Sequence, residues 1–392
     1  MKSSSTFKAM QAAINLREQG FDVIDLTLGE PDFPTPEFIK DLAIEGLQKG
    51  LTKYTASAGM KSFTEAVVKF YAEQFGANVS TKEVAASCGG KQALFNAACT
   101  ILNIGDEVLI PKPYWVTFPE IVSFCGAKSV FIETENSDFI LTAKQVREAI
   151  TDKTKLLIVN SPNNPTGAVI PKDEMIKIIE VCAEKGVYVL TDECYLFFCY
   201  PPSEVFSSAV LPEDLRKFVC VAGSFSKTYA MTGWRIGYTI ANEDWTKAMI
   251  KLQSHSATHP TSFVQYACAK AMERREESMN AVAEMLAEYD KRRNWLIPEL
   301  QKIKGFKCAM PEGAFYAFID VREMLDGENF KTSADVAEFL LNETYVVVTD
   351  GAGFGADGFL RLSYATSLEN LQKAVGRINN LFDSELQKTA NK

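Results

Sequence analysis

The chain has 392 residues, with 41 Lys and Arg against 50 Asp and Glu, so its formal net charge is −9. Hydrophobic residues make up 47% of it and charged residues 23%, which is ordinary for a globular protein and excludes a disordered chain. The acidic balance, without any block of Lys and Arg, argues against nucleic acid as the main partner.

Short apolar runs alternate with longer amphipathic stretches, a pattern typical of an α/β protein with a mostly parallel sheet. In chain order, the pattern predicts strand 23–26, helix 91–103, strand 108–110, strand 156–160, helix 173–185, strand 187–191 and strand 218–222. Strand 156–160, the helix after it and strand 187–191 form one βαβ unit. Its right-handed crossover brings the ends of the two strands to the same edge of the sheet.

A long, charged helical stretch over 276–304 comes next, and helices of this length often bridge two domains. It is followed by two predicted strands within 306–320, helix 333–342, strand 345–349 and helix 367–384. These elements indicate a smaller α+β domain. We therefore predict a large domain over residues 46–285 and a small domain formed by residues 1–45 together with 286–392.

The nine cysteines show no zinc-like CxxC spacing, and most lie in apolar stretches, so we expect reduced thiols. His255 and His259 are spaced as metal ligands on a helix, but Pro260 follows at once, and we expect no metal site. The first twenty residues lack the apolar core of a secretory signal, and no apolar run is long enough for a membrane span. We expect a cytoplasmic protein without a membrane partner.

Polar side chains follow three of the predicted strands. They lie in the segments Asn160 to Gly167, Asp192 to Tyr195 and Gly223 to Lys227. In open α/β sheets, ligands bind outside the carboxyl ends of the strands. The three segments therefore predict a site that combines an amide, a carboxylate, a phenol, two hydroxyls and an amine.

This combination suits an aromatic aldehyde that carries a phosphate. An amine desolvated at the end of a buried strand has a lowered pKa and attacks a carbonyl to form a Schiff base. The hydroxyls, a cation and the N–H groups at the start of helix 91–103 suit a phosphate. A carboxylate pairs with a protonated ring nitrogen, while a phenol and an amide bind a ring oxygen. Pyridoxal 5'-phosphate (PLP) has all of these features.

The segment Ser224 to Lys227, followed by Gly233 to Gly237, resembles the PLP-lysine motif of class I/II aminotransferases of fold type I. Further segments match this family in its own order along nearly the whole chain: Gly29 to Phe33, Lys53 to Tyr54, Gly89 to Gln92, Pro113 to Trp115, Asn160 to Gly167, Asp192 to Tyr195 and Arg361 to Tyr364. Within the family, the chain is most similar to the bacterial-type aspartate aminotransferases, which include aspartate/prephenate enzymes. The resemblance implies the fold type I architecture, a large domain with a mostly parallel sheet plus a smaller α+β domain.

The resemblance also implies a role for each matching residue. Lys227 would form the internal aldimine and shuttle the proton, and Asp192 would pair with the ring nitrogen. Tyr195 and Asn164 would hydrogen-bond the ring oxygen. The expected phosphate ligands are Gly90, Lys91, Ser224, Ser226 and Arg235. Tyr54 would reach the phosphate of the neighbouring subunit, which implies a homodimer with active sites shared across the interface.

For the substrate, the resemblance implies that Arg361 binds the α-carboxylate beside the Gly29 backbone. Trp115 would stack on the ring and border the substrate together with Asn164. Lys91 fits the position that binds the distal carboxylate of acidic substrates. The predicted reaction is therefore a ping-pong transfer from L-aspartate to 2-oxoglutarate.

Several alternatives to this reaction stay open. The family pattern has further residues before the segment that matches Lys2 to Thr6, and this difference leaves aromatic amino acids and prephenate open as substrates. Alanine or glutamate as donor, a PLP-dependent C–S lyase and a PLP-binding regulator are further alternatives. The segment Gly351 to Gly355 resembles a dinucleotide loop only weakly, because its glycines are misspaced.

Overall fold

The structure of the chain is a computed structural model that describes residues 5–390. The start of the segment Lys2 to Thr6 lies outside the described residues. Fourteen α-helices occur within the described range: α1 (Ser5–Glu18), α2 (Glu37–Gln48), α3 (Lys61–Phe75), α4 (Gly90–Cys99), α5 (Thr117–Phe124), α6 (Ala143–Ala149), α7 (Lys172–Glu184), α8 (Glu213–Arg216), α9 (Phe225–Thr228), α10 (Glu243–Ser256), α11 (Ser262–Glu273), α12 (Arg275–Gln301), α13 (Ser333–Thr344) and α14 (Leu368–Ala390).

Thirteen β-strands alternate with these helices in the described part of the chain. They are β1 (Ile24–Asp25), β2 (Val84–Ser87), β3 (Glu107–Lys112), β4 (Lys128–Glu133), β5 (Thr154–Asn160), β6 (Tyr188–Asp192), β7 (Val219–Ser224), β8 (Gly237–Ile240), β9 (Lys307–Cys308), β10 (Tyr316–Asp320), β11 (Val346–Val347), β12 (Thr349–Asp350) and β13 (Phe359–Ser363).

The largest sheet has seven strands in the order β2-β8-β7-β6-β5-β3-β4. Strand β8 runs antiparallel to both of its neighbours, and the other neighbouring strands pair in parallel. This arrangement confirms the predicted α/β class with a mostly parallel sheet. The predicted βαβ unit is β5-α7-β6, with ends that differ from the prediction by one or two residues.

The sequence of this unit explains its structure. The five last residues of β5 are buried, as expected for a central strand covered on both faces. Helix α7 buries Met175, Ile178 and Ile179 at helical spacing, while its remaining faces carry charges. Gly186 lies just beyond the helix with a φ of +68°, a left-handed conformation that ends a helix and that glycine adopts without strain.

A second sheet of four antiparallel strands has the order β12-β13-β10-β9, and β1 pairs with β11 in a short parallel ribbon. The predicted strand 345–349 is wrong as a single element. Val346 and Val347 pair with β1, whereas Thr349 and Asp350 pair with β13, so the segment is divided between two sheets. The sequence pattern did not predict β2, β4 and β8, and of these β2 and β8 pair with each other across a long stretch of chain.

Separate hydrophobic cores stabilise the two sheets, and α12 contributes to both of them. Val282 packs in the core of the seven-stranded sheet, whereas Met285 and Tyr289 pack in the core of the four-stranded sheet. The division into domains at residues 45/46 and 285/286 stays a prediction. Within residues 5–390, none of the helices combines the length and the apolar character that a membrane crossing requires.

Candidate active site

The carboxyl ends of β5, β6 and β7 meet at one edge of the seven-stranded sheet. Asn160 is the register partner of Asp192, and Asp192 is the register partner of Ala222, two residues before Ser224. A cavity of about 430 Å³ opens at this edge. Its lining includes the predicted site residues Gly29, Gly90, Lys91, Trp115, Asn164, Asp192, Tyr195, Ser224, Ser226, Lys227, Arg235 and Arg361. The structure therefore brings together every predicted site residue except Tyr54.

Lys227 lies on the short helix α9, directly after β7. Its Nζ donates a 2.5 Å hydrogen bond to the carbonyl oxygen of Gly29, so a loop from the N-terminal part of the chain borders the same space. Burial lowers the pKa of this amine. A lowered pKa increases the fraction of neutral amine, which is the nucleophilic form.

Asp192 ends β6 and is buried. Burial raises the pKa of its carboxyl group to about 7, while the backbone N–H of Cys194 and the charge of Lys227 oppose that rise. The N–H of Cys194 donates to Oδ1 over 3.1 Å. A buried carboxyl group of this kind favours a ligand that brings a positive charge or an N–H donor.

One wall of the cavity has the groups of an anion site. Helix α4 begins at Gly90, after Gly89 with a φ of +81°, and no acidic residue lies in its first turn. A Cβ atom at position 89 would lie only 2.5 Å from Nη2 of Arg235, so a glycine is needed there for the guanidinium to approach. With the hydroxyls of Ser224 and Ser226, these groups are suited to a phosphate.

Arg361 of β13 forms a second cationic site, and this residue is only 3% exposed. Its Nη1 donates to Oδ1 of Asn164 over 3.0 Å, and its Nη2 donates to the carbonyl oxygen of Thr27 over 2.7 Å. Within the described part of the chain, Nε is buried without a hydrogen-bond partner. Burial lowers the pKa of the guanidinium, so a carboxylate ligand would offset the cost of its desolvation.

The remaining predicted residues complete the lining. Nζ of Lys91 lies 5.0 Å from the centroid of the Trp115 ring, a cation–π contact. Burial and the charge of Arg235 lower the pKa of Lys91. The phenol oxygen of Tyr195 lies 2.7 Å from that of Tyr316, which approaches from the four-stranded sheet.

Tyr316 and Phe354 are among the residues of the lining that the sequence did not predict. The guanidinium of Arg361 lies over both rings, 4.6 Å and 4.9 Å from their centroids. Phe354 belongs to the glycine-rich segment that the sequence reading had set aside. The glycines around it, together with the aromatic residue between them, are the signal that could have pointed to a contact near a site.

Tyr54 lies apart from the other predicted residues. It is 88% exposed and borders a separate, open concavity with His259, whose ring meets that of Tyr54 edge to face at 5.7 Å. A role at the phosphate would need a second subunit, so this role stays a prediction. No group of three or more His, Cys, Asp or Glu side chains in the described part of the chain is arranged to hold a metal ion.

Comparison with known proteins agrees with this arrangement. The family model described as "Aminotransferase class I and II" matches residues 22–378. A relative described as a probable aspartate/prephenate aminotransferase, from Aquifex aeolicus, is 40% identical over 379 residues, which are 96% of this chain and 95% of the relative. An aspartate/prephenate aminotransferase from Thermus thermophilus is 41% identical over 378 residues, with the same coverage.

Solved structures show the same similarity. The aspartate aminotransferase from Thermus thermophilus with maleate superposes with a TM-score of 0.91 at 39% identity, covering 97% of each chain. An aromatic aminotransferase from Pyrococcus horikoshii superposes with a TM-score of 0.88 at 38% identity, covering 95% of this chain and 99% of that one.

Proposed function

Because this chain belongs to the class I and II aminotransferases and is a PLP-dependent enzyme, we propose that it transfers the amino group of L-aspartate to 2-oxoglutarate. One observation carries the proposal. Besides Arg235, which we assign to the phosphate, a single cavity contains the cationic side chains of Arg361 and Lys91 together with the amine of Lys227. A dicarboxylic amino acid presents two anionic groups and one amine, so its charges complement these three residues.

The polar groups of the cavity fit PLP. We assign Asp192 to the ring nitrogen, because its buried carboxyl group is stabilised by a proton shared with that nitrogen. Tyr195 and Asn164 supply a phenol and an amide for the ring oxygen, and Trp115 supplies a flat face for the ring. When bound, PLP supplies an electron sink for the charge that develops at the α-carbon of the amino acid.

Lys227 is the residue we assign to proton transfer. Its amine is partly enclosed and its pKa is lowered by burial, so it can hold a proton in one step and release it in the next. The hydrogen bond to the Gly29 carbonyl orients Nζ within the cavity. The enclosed position also restricts access of water to the proton in transit.

The phosphate site that we propose consists of the start of α4 and the side chains around it. The residues assigned to it are Gly90, Lys91, Ser224, Ser226 and Arg235. We further propose that the chain forms a homodimer in which Tyr54 of each subunit reaches the phosphate in the other. The exposure of Tyr54, an aromatic side chain beside an open concavity, supports a contact with a second chain.

The substrate contacts that we propose follow from the two cations. Arg361 binds the α-carboxylate as a bidentate pair, with Asn164 and the Gly29 backbone beside it. Lys91 binds the distal carboxylate, and Trp115 holds its ammonium group through the cation–π contact. Lys91 and Trp115 would then act in substrate binding as well as in cofactor binding.

A second candidate is transfer from an aromatic amino acid or to prephenate. The aromatic rings of Trp115, Tyr316 and Phe354 all line the cavity and supply an apolar surface for a ring. The similarity to the aromatic aminotransferase from Pyrococcus horikoshii and to aspartate/prephenate enzymes favours including these substrates in the tests.

We propose a cytoplasmic location, with small-molecule amino acids and 2-oxo acids as substrates and without nucleic acid or a membrane as partner. All nine cysteines are free thiols, including Cys99 and Cys125, whose sulfur atoms lie 3.4 Å apart. Free thiols at such a distance are consistent with a reducing compartment.

Absorbance spectroscopy of the purified protein with PLP tests the proposed reaction. We expect a visible band that L-aspartate removes and that 2-oxoglutarate restores, because the two half-reactions are separable. Lys227→Ala should lack both changes. A band that aspartate removes and that no 2-oxo acid restores would indicate a lyase, and a band that no amino acid changes would contradict an aminotransferase.

The same assay separates the substrate candidates. Lys91→Ala should reduce kcat/KM for aspartate by about 10- to 100-fold more than for phenylalanine, because only aspartate has a distal carboxylate for an ionic hydrogen bond. Phenylalanine is the internal control for damage to the phosphate site. Equal losses for both substrates would exclude Lys91 as the ligand of the distal carboxylate.

A further inference from the structure

Tyr316 links the two sheets at the active site. It begins β10 in the four-stranded sheet, and its phenol group reaches Tyr195, which follows β6 of the seven-stranded sheet. The two phenol oxygens lie 2.7 Å apart, and both side chains are buried. A Cβ atom at Gly29 would lie 2.8 Å from the Tyr316 oxygen, so the phenol is closely enclosed on that side as well.

The number of protons decides which phenol donates. Each phenol has one O–H and can also accept hydrogen bonds. If Tyr195 donates its proton to the ring oxygen of the cofactor, as proposed above, it has no proton left for Tyr316. The 2.7 Å contact then requires Tyr316 to donate to Tyr195.

The surroundings of the pair favour the same direction. The guanidinium of Arg361 lies over the Tyr316 ring at 4.6 Å. Burial raises the pKa of Tyr316, and the charge of Arg361 opposes that rise. Burial raises the pKa of Tyr195 further, and the contact with Tyr316 adds to that rise. Tyr316 is therefore the more acidic phenol and the stronger donor.

We propose that Tyr316 is a positioning residue that donates a hydrogen bond to Tyr195 and, through Tyr195, stabilises negative charge on the ring oxygen of PLP. This inference rests on the proposed function, because it needs Tyr195 beside that oxygen. Consecutive hydrogen bonds polarise each other, so the donor behind Tyr195 strengthens the bond that Tyr195 itself donates. The other ionisable groups that face the two phenols are Arg361 and Cys194, with Lys227 lining the same cavity.

The test is a pH titration of the visible absorbance band of the PLP-loaded enzyme, with Tyr316→Phe as the variant. Removing the donor weakens the stabilisation of the anionic ring oxygen. We therefore expect the apparent pKa of the band to rise by about 0.5 to 1 pH unit. An unchanged pKa would mean that Tyr316 does not influence the ring oxygen. A lower pKa would mean that Tyr195 directs its proton at Tyr316. Either result would overturn the proposal.

Tyr364→Phe is the matched control. Tyr364 follows β13, and its phenol donates to that of Tyr200 over 3.2 Å, so this variant also removes one hydroxyl from a buried phenol pair. Neither residue lines the cavity. The control should leave the pKa of the band unchanged, and an equal shift in both variants would count against a specific role of Tyr316.

A double-variant cycle shows whether Tyr316 acts through Tyr195. In a Tyr195→Phe background, Tyr316→Phe should add no further shift, and a full shift in that background would contradict the proposed route. If Tyr316→Phe fails to fold, 3-fluorotyrosine at position 316 keeps the shape and strengthens the donor, so the pKa should fall. Absence of the visible band from the unmodified enzyme would instead contradict the proposed function itself.

Discussion

Glu193, the neighbour of Asp192, is a buried carboxyl group that does not line the cavity. Ser207 Oγ donates to it over 2.6 Å, the backbone N–H of Ser208 over 2.8 Å and Thr191 Oγ1 over 3.3 Å. These bonds tie the loop after β6, which contains Tyr195, back to the strand. Burial nevertheless raises the pKa of Glu193 to about 7, because three donors do not replace full hydration.

The raised pKa of Glu193 predicts a dependence of stability on pH. The ordinary pKa of a glutamate is 4.5, so between pH 4.5 and 7 the unfolded state binds fewer protons at this residue than the folded state. The free energy of unfolding should therefore fall as pH rises through that range. Relative to Glu193→Gln, the unmodified protein should lose about 3 kcal/mol by pH 7.

Denaturant unfolding at several pH values between 4.5 and 8 measures this difference. Glu184→Gln is a suitable control, because Glu184 is exposed and its pKa is lowered by Arg147, so it does not titrate in this range. A constant difference between Glu193→Gln and the unmodified protein across the range would refute the prediction.

Helix α12 positions the loop that follows β1. Arg292 of this helix is largely buried, and its Nη1 donates to Oδ1 of Asp32 over 2.8 Å. The same guanidinium lies over the rings of Phe33 and Tyr289, 5.5 Å and 5.4 Å from their centroids. The same loop contains Gly29, whose carbonyl oxygen accepts the hydrogen bond from Lys227. The helix thereby supports one wall of the cavity.

We expect Arg292→Met to loosen this loop. The substitution keeps most of the side-chain length but leaves Asp32 without its cation, which should lower stability by about 1–3 kcal/mol. Because the loop borders the proposed α-carboxylate site, KM for the amino acid should increase more than kcat decreases. Steady-state kinetics and thermal unfolding measure the two effects.

Lys291→Met serves as the control for Arg292→Met on the same helix. Lys291 is exposed, and its Nζ is 3.6 Å from Glu288, so a loss of charge there should change neither quantity appreciably. Identical behaviour of the two variants would mean that Arg292 does not support the loop.

In the proposed homodimer, each active site depends on residues from two chains. Lys227 and Tyr54 would then come from different subunits at every site. A dimer formed from one Lys227→Ala chain and one Tyr54→Ala chain contains one site with both defects and one site with none. Exchange of subunits between the Lys227→Ala and Tyr54→Ala dimers should therefore restore activity.

Mixing the two purified variants under conditions that exchange subunits tests this prediction. With equal amounts and random exchange, we expect about a quarter of the activity of the unmodified enzyme. Each variant taken through the same procedure alone is the control. Sedimentation or light scattering gives the mass directly, and a monomeric mass or a failure to restore activity would contradict the shared site.

The amino-acid sequence was sufficient to predict the central α/β unit and which residues gather in most of the candidate site. Asn160, Asp192, Ser224 and Lys227 lie at or just beyond the ends of buried strands, and parallel strands place such ends at one edge of a sheet. The glycine before α4 is a local signal for the start of that helix, and the apolar runs around the cysteines are a local signal for reduced thiols. Such features can be predicted because each depends on residues that are close together in the chain.

The contacts between the four-stranded sheet and the cavity could not be predicted from the sequence. Tyr316 and Phe354 reach the cavity because β10 and the segment before β13 pack against the loops of the larger sheet. The glycines beside Phe354 indicate a close contact, but the local sequence does not specify which part of the chain it meets. The division of residues 345–349 between two sheets has the same origin. Pairing partners that are distant in the chain are selected by the packing of the whole molecule, which local propensity does not encode.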